Sequence, residues 1–125
     1  MTGAATGSKF LTVGELTVAP GKRSVYHIHP NTEESMFVIE GEIEFRLGGH
    51  KFRASAGDCV LANKGIGHGL QNAGTAPARL ITMYPHPSPE RQEIPEVDFK
   101  EGVPDSGVFI RGRVEPFEFP RHHAI

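Results

Sequence analysis

From Phe10 to Leu80 the chain runs in short stretches of alternating apolar and polar residues, cut by Gly, Pro and Asn. That period is expected of antiparallel strands with one buried face. Leu16 and Val18 flank Thr17 ahead of a Pro20-Gly21 turn, and Val25 to His29 reads as a strand stopped by Pro30-Asn31. Glu34 to Glu40 is another, ended at Gly41. Ile43, Phe45 and Leu47 share one face of the next strand while Glu42, Glu44 and Arg46 share the other. Gly48-Gly49 suits a hairpin turn whose central positions both need positive φ. Runs at 52–54, 59–62, 68–71 and 79–84 follow. Roughly eight short strands predict an all-β domain, a small antiparallel barrel or jelly roll that manages its own edges.

Composition supports one domain in the 125 residues. Fifteen Gly and ten Pro punctuate the chain too densely for a helical bundle. Residues 1–9 are small and polar and are expected to be loose, because they offer little apolar area to offset the entropy of ordering them. Residues 10–84 form the barrel. A Pro-rich extension, 85–125, holds seven of the ten prolines. It begins Pro85-His86-Pro87-Ser88-Pro89, a stiff extended connector, and is expected to pack on the barrel or on a dimer partner.

A formal charge of −2 leaves no basic surplus to neutralise a phosphate backbone, so nucleic acid is not an expected partner. The single cysteine, Cys59, cannot form an internal disulfide, and the opening MTGAATGSKF lacks the apolar run of a secretory signal. No window is apolar enough to span a membrane. A cytoplasmic protein is expected.

Candidate chemistry starts at His27 and His29, two residues apart in a predicted strand, so that both imidazoles project from one face. Glu34 opens the following strand, where its carboxylate can lie beside them. A third imidazole, His68, sits in Gly65-Ile66-Gly67-His68-Gly69, whose glycines allow close backbone approach. Three imidazoles and a carboxylate form an N3O set suited to a divalent transition ion.

At this point the chain resembles the cupin superfamily. The segment from Gly21 through His27, His29 and Glu34 to Gly41 resembles its first motif. The segment from Gly57 through Asn63, Gly65 and His68 to Asn72 resembles the second, with fifteen residues between them. Asn63 stands where the family usually has proline, and Asn also tolerates turn conformations. The resemblance implies a small barrel whose interior metal, iron, manganese, nickel or zinc, is held by His27, His29, Glu34 and His68. It also selects Glu34 over the adjacent Glu33 by its spacing to Gly41. Val25, Met36, Val38 and Leu70 are then expected to line the cavity, with Phe37 and Ile39 on the opposite side of their strand.

Around an octahedral ion four protein ligands leave two positions open, the logic of non-haem iron oxygenases. The residual positive charge favours a small anionic or enolisable substrate. The expected function is therefore a metal-dependent enzyme acting on a small organic acid, ketone or phenolic compound, first of all as an Fe(II)-type dioxygenase. An isomerase, decarboxylase or lyase, and a non-catalytic small-molecule-binding module, are the alternatives.

Tyr84, His86 and Gln71 are the candidates for proton handling. Tyr26 falls on the face opposite His27 and reads as packing, and Cys59 reads as a small buried hydrophobe. Arg111 and Arg113 read as a solvated strand face, and His122-His123 as a frayed terminus. The family's usual pairing through an exposed sheet, together with outward Phe37 and Ile39, implies a homodimer.

Overall fold

A computed structural model describes residues 2–105, together with the backbone of residues 108–110. The strands are β1 (Thr12–Val18), β2 (His27–Ile28), β3 (Glu34–Glu40), β4 (Glu42–Leu47), β5 (His50–Ser55) and β6 (Cys59–Ala62). They continue with β7 (His68–Asn72), β8 (Ala78–Tyr84), β9 (Gln92–Glu93), β10 (Lys100–Glu101) and β11 (Val108–Ile110). The only helical residues described form one short 3-10 turn, Ala4–Thr6. No helix among the described residues is long and apolar enough to cross a membrane.

The strands form two sheets, ordered β1-β8-β3-β6-β11 and β10-β5-β4-β7-β2-β9. All pairings are antiparallel except that of β10 with β5. The all-β jelly roll expected from the alternation is thus the observed architecture. Its core lies between the sheets, where Met36, Val38, Val60 and Leu80 meet Ile43, Phe45, Leu47 and Leu70. Phe45 stacks on its cross-strand partner Phe52 with ring centroids 6.0 Å apart.

The hairpin between β4 and β5 turns through Gly48 and Gly49, at φ 57° and 84°, which favours residues without a Cβ. Gly41 joins β3 to β4 at φ 93°, and a Cβ there would meet the Ala78 Cβ at 2.7 Å. This contact explains why the chain needs glycine at the crossing between sheets.

Two local expectations change, and the place of the extension is narrowed. The run Val25 to His29 is a strand only at His27–Ile28. Tyr26 and His27 are both buried, so two-residue alternation fails there, and Val25 is left 50% exposed. Residues 2–9 carry backbone hydrogen bonds that their composition does not reveal, from Thr2 N–H to the Val13 carbonyl at 2.8 Å and from Ala4 N–H to the Pro87 carbonyl at 2.7 Å. Within the extension, β9 pairs with β2, β10 with β5 and β11 with β6, so its described part lies on its own barrel. Arg111, Arg113, His122 and His123 lie outside the described residues.

Asn72, at the end of β7, is 2% exposed and works as an internal turn brace. Its amide donates to the Val18 and Ala76 carbonyls at 2.8 and 2.9 Å, and its Oδ1 accepts from Gly74 N–H at 2.8 Å. Substituting Asn72→Ala strands these buried backbone groups, and urea denaturation is expected to show a loss of about 3 kcal/mol.

Candidate metal centre

The site draws on both sheets. His27 lies on β2 directly opposite His68, the first residue of β7. His29 follows one residue after β2 ends, and Glu34 opens β3 in the other sheet. All four side chains are buried, and their ligand atoms lie within 4.8 Å of one another. The four residues singled out in the sequence therefore come together as one cluster.

Glu34 Oε1 is 3.0 Å from His29 Nε2 and 2.8 Å from His68 Nε2. Its other oxygen accepts a hydrogen bond from the Thr82 hydroxyl on β8. Each imidazole is tied at Nδ1 to a main-chain carbonyl: His27 to Val25 at 2.6 Å, His29 to Glu90 at 2.6 Å, His68 to Ile66 at 3.0 Å. A carbonyl only accepts, so each Nδ1 carries a proton, and a ring without a second proton turns a lone pair at Nε2 toward the cluster.

This wiring is the test of whether the residues suit a metal. Neutral Nε2 atoms and a carboxylate oxygen this close repel through their lone pairs unless a cation or an added proton lies among them. Carbonyls that orient ligand imidazoles through Nδ1 are the usual support of a metal site. The cluster fits a divalent transition ion, with His27, His29, Glu34 and His68 as its donors.

The charge states show a demand for positive charge beside the carboxylate. Burial pushes the His27 imidazole down to about 4, assisted by His68, Arg91 and His29 against the opposing Val25 carbonyl, so this ring is neutral. Burial pushes the Glu34 carboxyl up, but hydrogen bonds from His29, His68 and the Thr82 hydroxyl outweigh it. The group stays well below the usual carboxylate range and is ionised. At His29, burial opposes the proton, while Glu34 and the Glu90 carbonyl favour it more strongly and raise the value.

A cavity of about 510 Å³ opens onto the cluster. Leu16, Val18, Met36 and Leu70 give it an apolar wall, and Thr82 and Tyr84 stand beside His27, Glu34 and His68. Lys22, Arg23 and Arg91, all exposed, line it as well, and Glu34 is the single acid among its lining residues. Arg23 pairs with Glu96, while Lys22 and Arg91 have no ion pair among the described residues.

Of the expected lining residues, Met36 and Leu70 face the cavity, and Val25 and Val38 do not. The break in alternation turns Val25 outward, and Val38 lies fully buried in the core, two residues beyond the Met36 side chain that bounds the cavity. Tyr84 lines the cavity, its ring edge-on to His29 at 5.0 Å. Burial first, and then the Glu34 charge, push its phenol pKa up, so it remains a proton-bearing donor. Gln71 alternates with the inward Leu70 and is not in the lining. His86 lies outside too, its Nδ1 accepting from Ser88 N–H at 2.9 Å.

Tyr26 packs edge-on against Phe99 at 5.0 Å, and Cys59 Sγ lies 3.2 Å from Ser35 Oγ on the outer face of its sheet. Thr82 and Arg91 are cavity-lining positions that the sequence pattern does not single out. Thr82 was accessible in principle, since it shares strand parity with Leu80 and Tyr84. Arg91 carried no local signal, because its place depends on where the extension turns back.

A family model described as the cupin domain matches residues 14–84. The tetracenomycin polyketide synthase protein TcmJ of Streptomyces glaucescens is 29% identical over 105 residues, 84% of this chain and 69% of that protein. Oxalate decarboxylase OxdC of Bacillus subtilis is 32% identical over 82 residues, 62% of this chain but 21% of that one. Against its first three curated relatives the chain spans 69%, 52% and 64% of their lengths. A solved Klebsiella pneumoniae protein with a double-stranded beta-helix domain superposes with TM-score 0.67 at 26% identity, covering 71% of this chain and 78% of that one. With the matched segment spanning β2, β3 and β7, and so all four residues of the buried donor cluster, the chain belongs to the cupin family.

Proposed function

We propose that this chain is a metal-dependent enzyme acting on a small organic anion with an apolar body, a phenolic or keto acid. His27, His29, Glu34 and His68 are the proposed metal ligands. The observation that carries the reading is the convergence of three imidazoles on one buried carboxylate, each ring locked by a carbonyl at Nδ1. When bound, a divalent ion supplies Lewis acidity and open coordination positions to the cavity.

The protein's own groups divide the remaining work. Thr82 donates to Glu34 Oε2 and thereby fixes the rotation of the carboxylate. Lys22 and Arg91 attract and orient the anionic end of a substrate, and Leu16, Val18, Met36 and Leu70 exclude water around its body. Oxalate has no apolar body to place against that wall, whereas the likeness to a protein named for a polyketide synthase accords with phenolic or ketonic substrates.

Reaction with dioxygen is the first form of this reading. A second, lyase, decarboxylase or isomerase chemistry, is favoured by Tyr84, whose phenol beside Glu34 can deliver a proton to a substrate atom without any oxidant. We also propose a homodimer formed through the outer face of the β1-β8-β3-β6 sheet, where Phe37 and Met83 are 39% and 43% exposed.

Elemental analysis of the purified chain is expected to find close to one equivalent of a transition metal, and Glu34→Gln to retain less than about a tenth of an equivalent. Oxygen uptake by the metal-loaded protein with catechols and diketones then decides between the two reaction classes. Arg91→Ala is expected to weaken binding of an aromatic carboxylate such as naphthoate about fivefold at low salt, with the difference shrinking as salt is added. Light scattering is expected to give twice the 13.6 kDa chain mass.

A further inference from the structure

His29 differs from the other imidazoles of the cluster in lying outside any strand. Its carbonyl accepts from Gly65 N–H at 3.0 Å, which holds the backbone but leaves the ring free to rotate. On the side away from Glu34 the ring is aimed by one bond, from Nδ1 to the Glu90 carbonyl at 2.6 Å. Glu90 is itself between strands, in the extension that follows β8 and beyond the segment matched by the family model.

The peptide of Glu90 is held by Asn31, two residues after His29. Glu90 N–H donates to Asn31 Oδ1 at 2.9 Å, and Asn31 Nδ2 donates to the Ser88 carbonyl at 3.1 Å. Asn31 Nδ2 also lies 3.4 Å from His86 Nε2, so one amide side chain grips the extension at three points. The segment is anchored on both sides of that grip. Upstream, the Thr12 hydroxyl donates to the His86 carbonyl at 2.8 Å and Ala4 N–H to that of Pro87 at 2.7 Å. Downstream, β9 pairs with β2, the strand that carries His27. The hydrogen bonds form a closed circuit: ring of His29, carbonyl and N–H of Glu90, side chain of Asn31, and the short main-chain link back through Pro30.

We infer that Asn31 is a positioning residue for the metal centre, acting as the latch that docks residues 86–93 so that the Glu90 carbonyl aims the His29 imidazole. The inference rests on the proposed metal reading. It makes the extension part of the site, although no side chain in the extension is a ligand. Loss of an outer partner of a ligand imidazole weakens metal binding by about tenfold or more.

Cobalt(II) titration of the full chain, stripped with chelator, tests this by affinity and by the visible absorption of the bound ion. Asn31→Ala is expected to weaken cobalt binding about tenfold and to alter the absorption bands. Thermal unfolding of its chelator-treated form should stay near wild type, which separates aiming of a ligand from general stability. Glu90→Pro removes the same hydrogen bond from the donor side while keeping the carbonyl, and should reproduce the loss even if Asn31→Ala does not fold. Asn31→Asp keeps the acceptor for Glu90 N–H but loses the donor to the Ser88 carbonyl, and should fall between wild type and Asn31→Ala at high salt, where its added charge is screened. Wild-type affinity and spectrum in either Asn31→Ala or Glu90→Pro overturns the latch, as does an Asn31→Asp protein no better than the alanine variant. A wild-type chain that takes up no cobalt overturns the metal reading, and the latch falls with it.

Discussion

The structure is organised around one buried carboxylate. Taking an ion such as Glu34 out of water costs on the order of several kcal/mol, and only well-placed partners return that cost. Glu34 finds them in His29, His68 and Thr82, from neighbouring strands or loops of two sheets. The imidazoles in turn are aimed by main-chain carbonyls at Val25, Glu90 and Ile66, so the geometry of the centre is fixed by backbone that the surrounding fold holds in place. This dependence explains why a site of a few residues needs so much of the barrel.

The same constraint shapes the cavity. Polar donors occupy one side of it, and the remaining wall, Leu16, Val18, Met36 and Leu70, is continuous in character with the core between the sheets. An apolar wall lowers local screening, so the charges that do reach the cavity act strongly. Lys22, Arg23 and Arg91 leave an excess of positive lining over the single acid, Glu34. An anionic ligand with an apolar body satisfies both features at once.

The extension changes the picture of a self-contained barrel. By returning along β2 it pairs the otherwise open edge of the strand that carries His27, and it supplies both the Glu90 carbonyl and the Arg91 cation. Short strands such as β2, with just two residues, have little hydrogen bonding of their own and depend on neighbours at each edge. Here one neighbour is β7, which carries His68, and the other is the extension.

Much of this was legible in the residues. The alternation of Ile43, Phe45 and Leu47, the Gly48-Gly49 turn and the spacing of His27, His29, Glu34 and His68 each encode a local rule, period or motif, and the folded chain obeys them. Parity worked wherever a strand was regular: it placed Met36 and Leu70 inward and Phe37 outward. It failed at Val25, because burial of Tyr26 against Phe99 broke the alternation that the rule presumes. It was too coarse for Val38, since direction toward the interior does not say where cavity ends and core begins. Thus the sequence by itself determined the strand pattern and marked the four candidate donors, because alternation and motif spacing are properties of chain order. Only the tertiary structure decided that the Glu90 carbonyl aims His29, that Arg91 reaches the cavity and that His86 does not, because those placements depend on where the extension returns along β2, dozens of positions away in the chain.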